Sequence, residues 1–278
     1  MKVSFKTSPM HTTWQSIREV WTEADDIEVF AGGWTFDHFT PLRGDEGGAC
    51  LEGWMLLASL ATLTSRLRLG VMVTGNTYRH PAVLANMAAT VDVVSGGRLD
   101  LGIGAGWFAE EHEAYGMELP PLKERFDRFD EAVEVIHLLL TQDVSDFDGR
   151  HYRLRNARCE PKPVQTPRPP FVIGGGGEKR TLRTTAKWAD HWNFPSMGFE
   201  PDLFRRKLAV LEEWCERVGR SPAEIEKSIQ FMAGDPASLP ERLARAAEAG
   251  ADHAVVAIPP PHRVGDLVAV AEAVRASQ

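Results

Sequence analysis

An adjacent acid and histidine, Asp37-His38, stand just after the β-prone run Trp34-Thr35-Phe36. A histidine there can hydrogen-bond a ligand or move a proton near neutral pH, and a neighbouring carboxylate can fix its tautomer. The plainer possibility is an aspartate capping a turn beside a packed histidine. Two further strand ends lack bulk. Thr74-Gly75-Asn76 follows the apolar run Leu67 to Val73, and Gly104-Ala105-Gly106 follows Leu99 to Ile103. Glycine removes the side chain that would hold a flat ligand off the backbone. A third glycine turn, Gly174 to Gly177, lies between Phe171 to Ile173 and a helix expected from about Glu178. Backbone N–H groups at Gly175, Gly176 and Gly177 suit a phosphate by geometry and by the helix dipole, with Lys179 and Arg180 as candidates to add charge. Glu110-Glu111 opens a loop or short helix, where an exposed acidic first turn favoured by the dipole is expected.

The elements around these stretches alternate between strand and helix. Pro81 opens a helix where a missing N–H costs least, and Gly96-Gly97 closes it, so Leu67 to Ile103 forms a βαβ unit. Such units place ligands at the carboxyl ends of their strands. Val3 to Phe5 is a first short strand, followed by a helix on which Trp14, Ile17, Val20 and Trp21 recur at core-facing spacing. Helices are also expected over Trp54 to Thr64, from Leu122 to Leu140, and over Asp202 to Val218, Leu239 to Ala249 and Val264 to Ala276. Ile225 to Met232 and Ala254 to Ile258 supply two late strands. About eight strand–helix units predict an α/β fold: one (β/α)8 TIM barrel covering residues 1–278, not two domains. Residues 143–170 break the rhythm with a hairpin-like FDGRHYRL and a proline-rich connector, a functional or interaction insert. Pro41 to Gly53, rich in glycine and charge, reads as a loop beside the site.

Composition excludes several classes. A net charge of −8 argues against a nucleic-acid binder, although ten Lys/Arg between Gly149 and Trp188 face only Glu160 and Glu178. That strip fits either an anionic small ligand or a solvated surface. No apolar run approaches a membrane span, and MKVSFKTSPM has no apolar core for a secretory signal, so a cytoplasmic protein without membrane contact is expected. Cys50, Cys159 and Cys215 read as reduced thiols. No His-x-x-x-His or paired-Cys spacing appears, so no metal site is expected. There is no Gly-x-Ser-x-Gly elbow, and Gly102-x-Gly104-x-Gly106 is not the nicotinamide fingerprint.

VMVTGNTYRHP, SGGRLDLGIGAGW and IGGGGEKRTLR together resemble the luciferase-like superfamily of flavin and deazaflavin oxidoreductases, most closely the branch using coenzyme F420. The resemblance runs from about Trp34 to Asp190. It implies a barrel of the bacterial luciferase-like type, a homodimer, and hydride transfer between F420 and a small-molecule substrate. It places His38, oriented by Asp37, over the cofactor ring. Met72 and Val73, joined by a non-proline cis peptide, would press on its other face. Thr74 and Asn76 would bond its edge, Gly104, Ala105 and Gly106 would admit the ring or ribityl chain, and Gly175 to Gly177 would hold the phosphate of the acidic tail. Some deazaflavin dehydrogenases carry a catalytic Glu directly after the Gly-x-Gly turn, but this chain has Trp107 there, leaving Glu110 or Glu111 as substitutes. The alternatives are an FMN-dependent monooxygenase on the same scaffold, a cofactor-binding protein without turnover, and a sugar-phosphate isomerase.

Overall fold

The computed structural model describes residues 1–277. Eight parallel strand positions close into a barrel: β1 (Lys2–Thr7), β2 (Gly32–Thr35), β3 (Arg68–Val71) continued by β4 (Thr74–Gly75), β5 (Leu99–Gly104), β8 (Phe171–Gly174), β9 (His191–Pro195), β10 (Glu226–Met232) and β11 (His253–Ile258). Closure is made by β1 on β11 and by β3 and β4 on β5. Between them run α1 (Trp14–Asp25), α2 (Gly53–Leu63), α3 (Pro81–Ser95), α4 (Ala109–Ala114), α5 (Leu122–Thr141), α6 (Thr181–Trp188), α7 (Pro201–Val218) and α8 (Leu239–Glu248), with α9 (Val264–Ala276) after β11. This is the expected (β/α)8 barrel. The insert forms an antiparallel hairpin of β6 (Ser145–Asp148) and β7 (Arg153–Ala157). Its turn is tied to α5 by the Glu131 carboxylate, which accepts from the N–H groups of Arg150, His151 and Tyr152.

Local chemistry explains the boundaries. Thr13 caps α1 by accepting from Ser16, Pro81 starts α3, and Gly96 ends it at φ 66°, a conformation glycine adopts without a Cβ penalty. Trp21 is fully buried as the helical spacing requires, but Trp14 at the first turn is 38% exposed. The helix expected from Glu178 begins three residues later, at Thr181, because Gly175 to Arg180 is spent on a loop and turn.

Alternate strand residues face opposite sides. Val3 and Phe5 join the main core between barrel and helices, whereas Ser4 and Lys6 turn inward. Inside the barrel the apolar cluster is small: Trp34, Met72, Val172 and Val255, with Val73 against it. The rest of the interior is polar, with His191, Asn193, Ser228, Gln230 and His253 all buried.

Gly102 shows how tightly β3 and β5 meet. A Cβ there would lie 1.9 Å from the Val71 carbonyl oxygen, which is backbone and cannot rotate away. Gly102→Ala is therefore expected to destabilise the fold by about 3 kcal/mol or more, read from the urea midpoint. A midpoint within error of the unsubstituted protein would show that the strands can separate without loss.

Candidate functional site

The carboxyl ends of the strands open into one cleft of ≈ 500 Å³. Its lining includes His38, Met72 and Val73, Gly75, the Gly104-Ala105-Gly106 turn, and Gly174-Gly175. The Met72–Val73 peptide is cis. Gly106 sits at φ 85°, and a Cβ on it would meet Thr77 Oγ1 at 2.3 Å. Gly175 has φ 118°, again a backbone that L side chains rarely adopt. The cleft surface here is therefore bare backbone for a conformational as well as a steric reason.

His38 is held by a residue 73 positions away. Its Nδ1 lies 3.0 Å from Glu111 Oε2, and the other carboxylate oxygen accepts from the N–H groups of Phe39 (2.6 Å) and Thr40 (3.0 Å). Tyr78 donates its hydroxyl to Glu111 Oε2 at 2.5 Å and lies 3.1 Å from His38 Nδ1. With Nδ1 engaged, Nε2 is the ring nitrogen left for a ligand. Burial alone would raise the Glu111 carboxyl, but the bonds from His38, Tyr78 and Phe39 outweigh it and hold it at about 2. The same carboxylate pushes the Tyr78 phenol, already raised by burial, further up, so it remains a donor. Glu111 is 1% exposed, so the surface first turn expected for it is wrong; Glu110 does remain at the surface.

Asp37 does not orient His38. It is fully buried and paired with Arg79, whose Nη1 bonds Oδ2 and whose Nη2 lies 3.1 Å from Oδ1. Burial pushes this carboxyl up against the pull of the guanidinium. Arg79 also reaches Glu52 at 3.3 Å, the residue that caps α2 by accepting from Met55. The pair thus joins the β2 end to α2 and the start of α3.

Thr74 and Asn76 are likewise committed to the protein. The Thr74 hydroxyl accepts from Trp54 Nε1 at 2.7 Å and is buried. Asn76 donates from Nδ2 to the Tyr152 hydroxyl at 3.1 Å, tying the hairpin insert to the barrel, while its Oδ1 is buried without a hydrogen-bond partner.

Gly176 and Gly177 lie outside the cleft proper, in an adjoining depression with Lys123, Lys179, Arg180 and Lys207. Phe126 borders both spaces, and Gly175 and Gly176 fall one in each, so the two adjoin. Arg180 is held by Asp127 and Asp130, Lys207 by Glu178 and Lys123 by Asp127. Lys179 is in no ion pair among the described residues. The basic strip as a whole is not a free cationic band. Arg153, Arg155, Lys162, Arg168, Arg180 and Arg183 all have carboxylate partners.

The opposite end of the barrel holds a group of metal-ligand type among the described residues, the buried His191 and His253 with the half-buried Glu226. Ser228 and Ser4 hydroxyls meet the two Nε2 atoms at 2.6 and 2.8 Å, and Lys2 pairs with Glu226 at 2.7 Å. These residues open three neighbouring strands, so no sequence spacing announces them. Burial lowers His191 to about 3, keeping it neutral.

Lys6, Tyr78 and Arg79 escaped the sequence reading. Tyr78 and Arg79 stand inside TGNTYRHP, directly after a strand end, which was the available signal. Lys6 is the second of two lysines in β1, and only its inward, buried position in the alternation sets it apart from the exposed Lys2.

The luciferase-like monooxygenase profile matches residues 2–263. A relative from Amycolatopsis mediterranei (strain U-32), "F420-dependent glucose-6-phosphate dehydrogenase", is 34% identical over 236 residues, 83% of this chain and 68% of that protein. An F420-dependent secondary alcohol dehydrogenase solved with an F420-acetone adduct superposes with a TM-score of 0.88 at 19% identity, covering 100% of both chains. A riboflavin lyase solved with modified FMN superposes with a TM-score of 0.81 at 13% identity, over 99% of this chain and 91% of that one. At those identities the structural likeness speaks to the fold alone. The profile over nearly the whole chain, joined to a one-third-identical relative, identifies the protein as a member of the luciferase-like monooxygenase family.

Proposed function

We propose that this oxidoreductase transfers a hydride between coenzyme F420 and a small organic substrate. The observation that carries the reading is the adjacency of two spaces. A cleft floored by bare glycine backbone adjoins, at Phe126, a depression at Gly176-Gly177 in which Lys179 is in no ion pair among the described residues. A flat ring with a charged tail matches that shape and charge. The F420-dependent relative at 34% identity supports this cofactor over FMN.

When bound, the deazaflavin supplies the hydride chemistry. The protein orients it, excludes water and handles the proton. Met72 and Val73 give an apolar support, and Gly104 to Gly106 allow close backbone approach. Gly175 lines the ring cleft while Gly176, Gly177 and Lys179 stand where the phosphodiester is expected. His38 Nε2 donates or accepts the proton that accompanies hydride transfer, with its tautomer set by Glu111. Thr74 and Asp37 support these parts from behind, not at the ring. Trp107 and Phe108 pack edge-on near His38, with ring centroids 5.8 Å away, and form an aromatic wall for the reacting centre.

Titrating the apoprotein with F420 and with FMN tests the choice. Saturable quenching of deazaflavin fluorescence at micromolar protein is expected, with FMN binding at least ~100-fold weaker, a difference of about 2.7 kcal/mol. Tight FMN binding without F420 binding would replace the proposal by a flavin monooxygenase. A bound deazaflavin that no substrate class oxidises or reduces would favour a binding protein.

A further inference from the structure

The half of the cleft built from β1, β10 and β11 carries charge that the cofactor reading does not use. Lys6 is 9% exposed, and its ammonium donates only to neutral oxygens, the Met72 carbonyl at 2.9 Å and Gln230 Oε1 at 3.0 Å. An ammonium has three N–H donors, so one remains. Arg43 lines the same cleft and is likewise in no ion pair among the described residues; its Nη2 rests 3.7 Å from Met232 Sδ. Gln230 and Met232 are two apart on β10 and share its inner face, about 7 Å from each other along the strand. Lys6 is thus anchored at Gln230 and the exposed Arg43 side chain rests on Met232, neighbouring positions on one strip of the cleft. Ser8, just past the end of β1 and two residues after Lys6, adds a buried hydroxyl oxygen with no partner. No aspartate or glutamate lines the cleft, in a chain whose net charge is −8.

Extending the proposed hydride-transfer reading, on which this rests, we infer that the substrate carries an anionic oxygen group, a carboxylate or phosphate, recognised by Lys6 with Arg43 and Ser8. An isolated buried ammonium is unfavourable unless a counter-charge arrives, and a bound anion completes the set. In keeping with this, burial without any charged partner lowers Lys6 to about 7 in the free protein. Occupation by an anion would fix the ammonium in its charged form and hold the substrate by one end. The transferable hydrogen would then be turned toward His38 and the glycine floor.

The test uses inorganic phosphate and acetate as probes, titrated into apoprotein labelled for observation of the Lys6 side chain by NMR. Either anion is expected to shift the Lys6 signal saturably and to move its titration midpoint upward from about 7. Lys6→Gln should weaken anion binding at this site by at least ~10-fold, the worth of a charge-assisted hydrogen bond, while F420 affinity stays within about threefold. Lys6→Arg should restore most of the anion binding. A Lys6 signal that neither anion moves would overturn the inference. So would a Lys6→Gln protein that keeps its anion affinity and loses F420, since the charge would then serve the cofactor. The anion arm needs no cofactor and no variant, so it is decided separately from whether the protein binds deazaflavin.

Discussion

Glu111→Gln is expected to slow hydride transfer by about 100- to 10,000-fold while leaving the fold intact. Glutamine keeps an oxygen for the Phe39 and Thr40 N–H groups but turns an NH2 toward His38 and Tyr78. A donor facing Nδ1 forces the proton to Nε2, the reverse of the tautomer the carboxylate selects. A comparable tautomer error in a serine-protease triad lowers turnover by about 10⁴. Single-turnover reaction of bound deazaflavin reads the rate, and imidazole ¹⁵N shifts read the tautomer without any substrate. A His38 tautomer unchanged by the substitution would refute the role given to Glu111. The pH dependence has a definite sign. Glu111 is held at about 2, below an ordinary glutamate at ~4.3, so its contribution to stability is complete above that value. It drains away as pH falls from about 4 towards about 2, and the Gln variant should lack that part of the acid limb.

Arg79→Met is expected to be the most damaging single change at the site for stability, at about 3–5 kcal/mol, because it strands the Asp37 carboxylate in the interior. For a chain near this length that corresponds to a melting temperature lower by roughly 6–20 °C. The loss should shrink in acid. Asp37 already sits above the ordinary carboxylate range, and without Arg79 it rises further. Its folded-state pKa then exceeds the unfolded one, so the folded state binds the extra proton and regains stability as pH drops. Urea melts at two pH values check both parts. A small loss, or one that does not change with pH, would mean that Asp37 finds water or another partner.

The barrel was legible in the sequence because its signals are local. Apolar runs of strand length, helical stripes such as Phe129, Val133, Ile136 and Leu140, and the Pro81 and Gly96 punctuation all act within a few residues. The glycine turns were legible for the same reason, since each needs only its own backbone conformation. The acid–base pairing was not. Neighbouring side chains on extended backbone point to opposite faces, so Asp37 and His38 diverge, one to Arg79 and the other to Glu111. Glu111 lies after Trp107, on a helix of six residues, where sequence favours exposure; folding of α4 against the β2 end buries it instead. Thr74 reads as a ligand contact until Trp54 on α2 claims its hydroxyl. Lys6 had no local mark beyond its register, because its partners come from the β3–β4 junction and from β10.

A crystal structure with oxidised F420 tests the proposed cofactor seat most directly. The ring is expected against Met72 and Val73, with His38 Nε2 facing its reacting edge and the phosphodiester at Gly176-Gly177 near Lys179. A cofactor bound with its ring away from the Met72–Val73 peptide, or with its phosphate far from that glycine turn, would contradict the assignment.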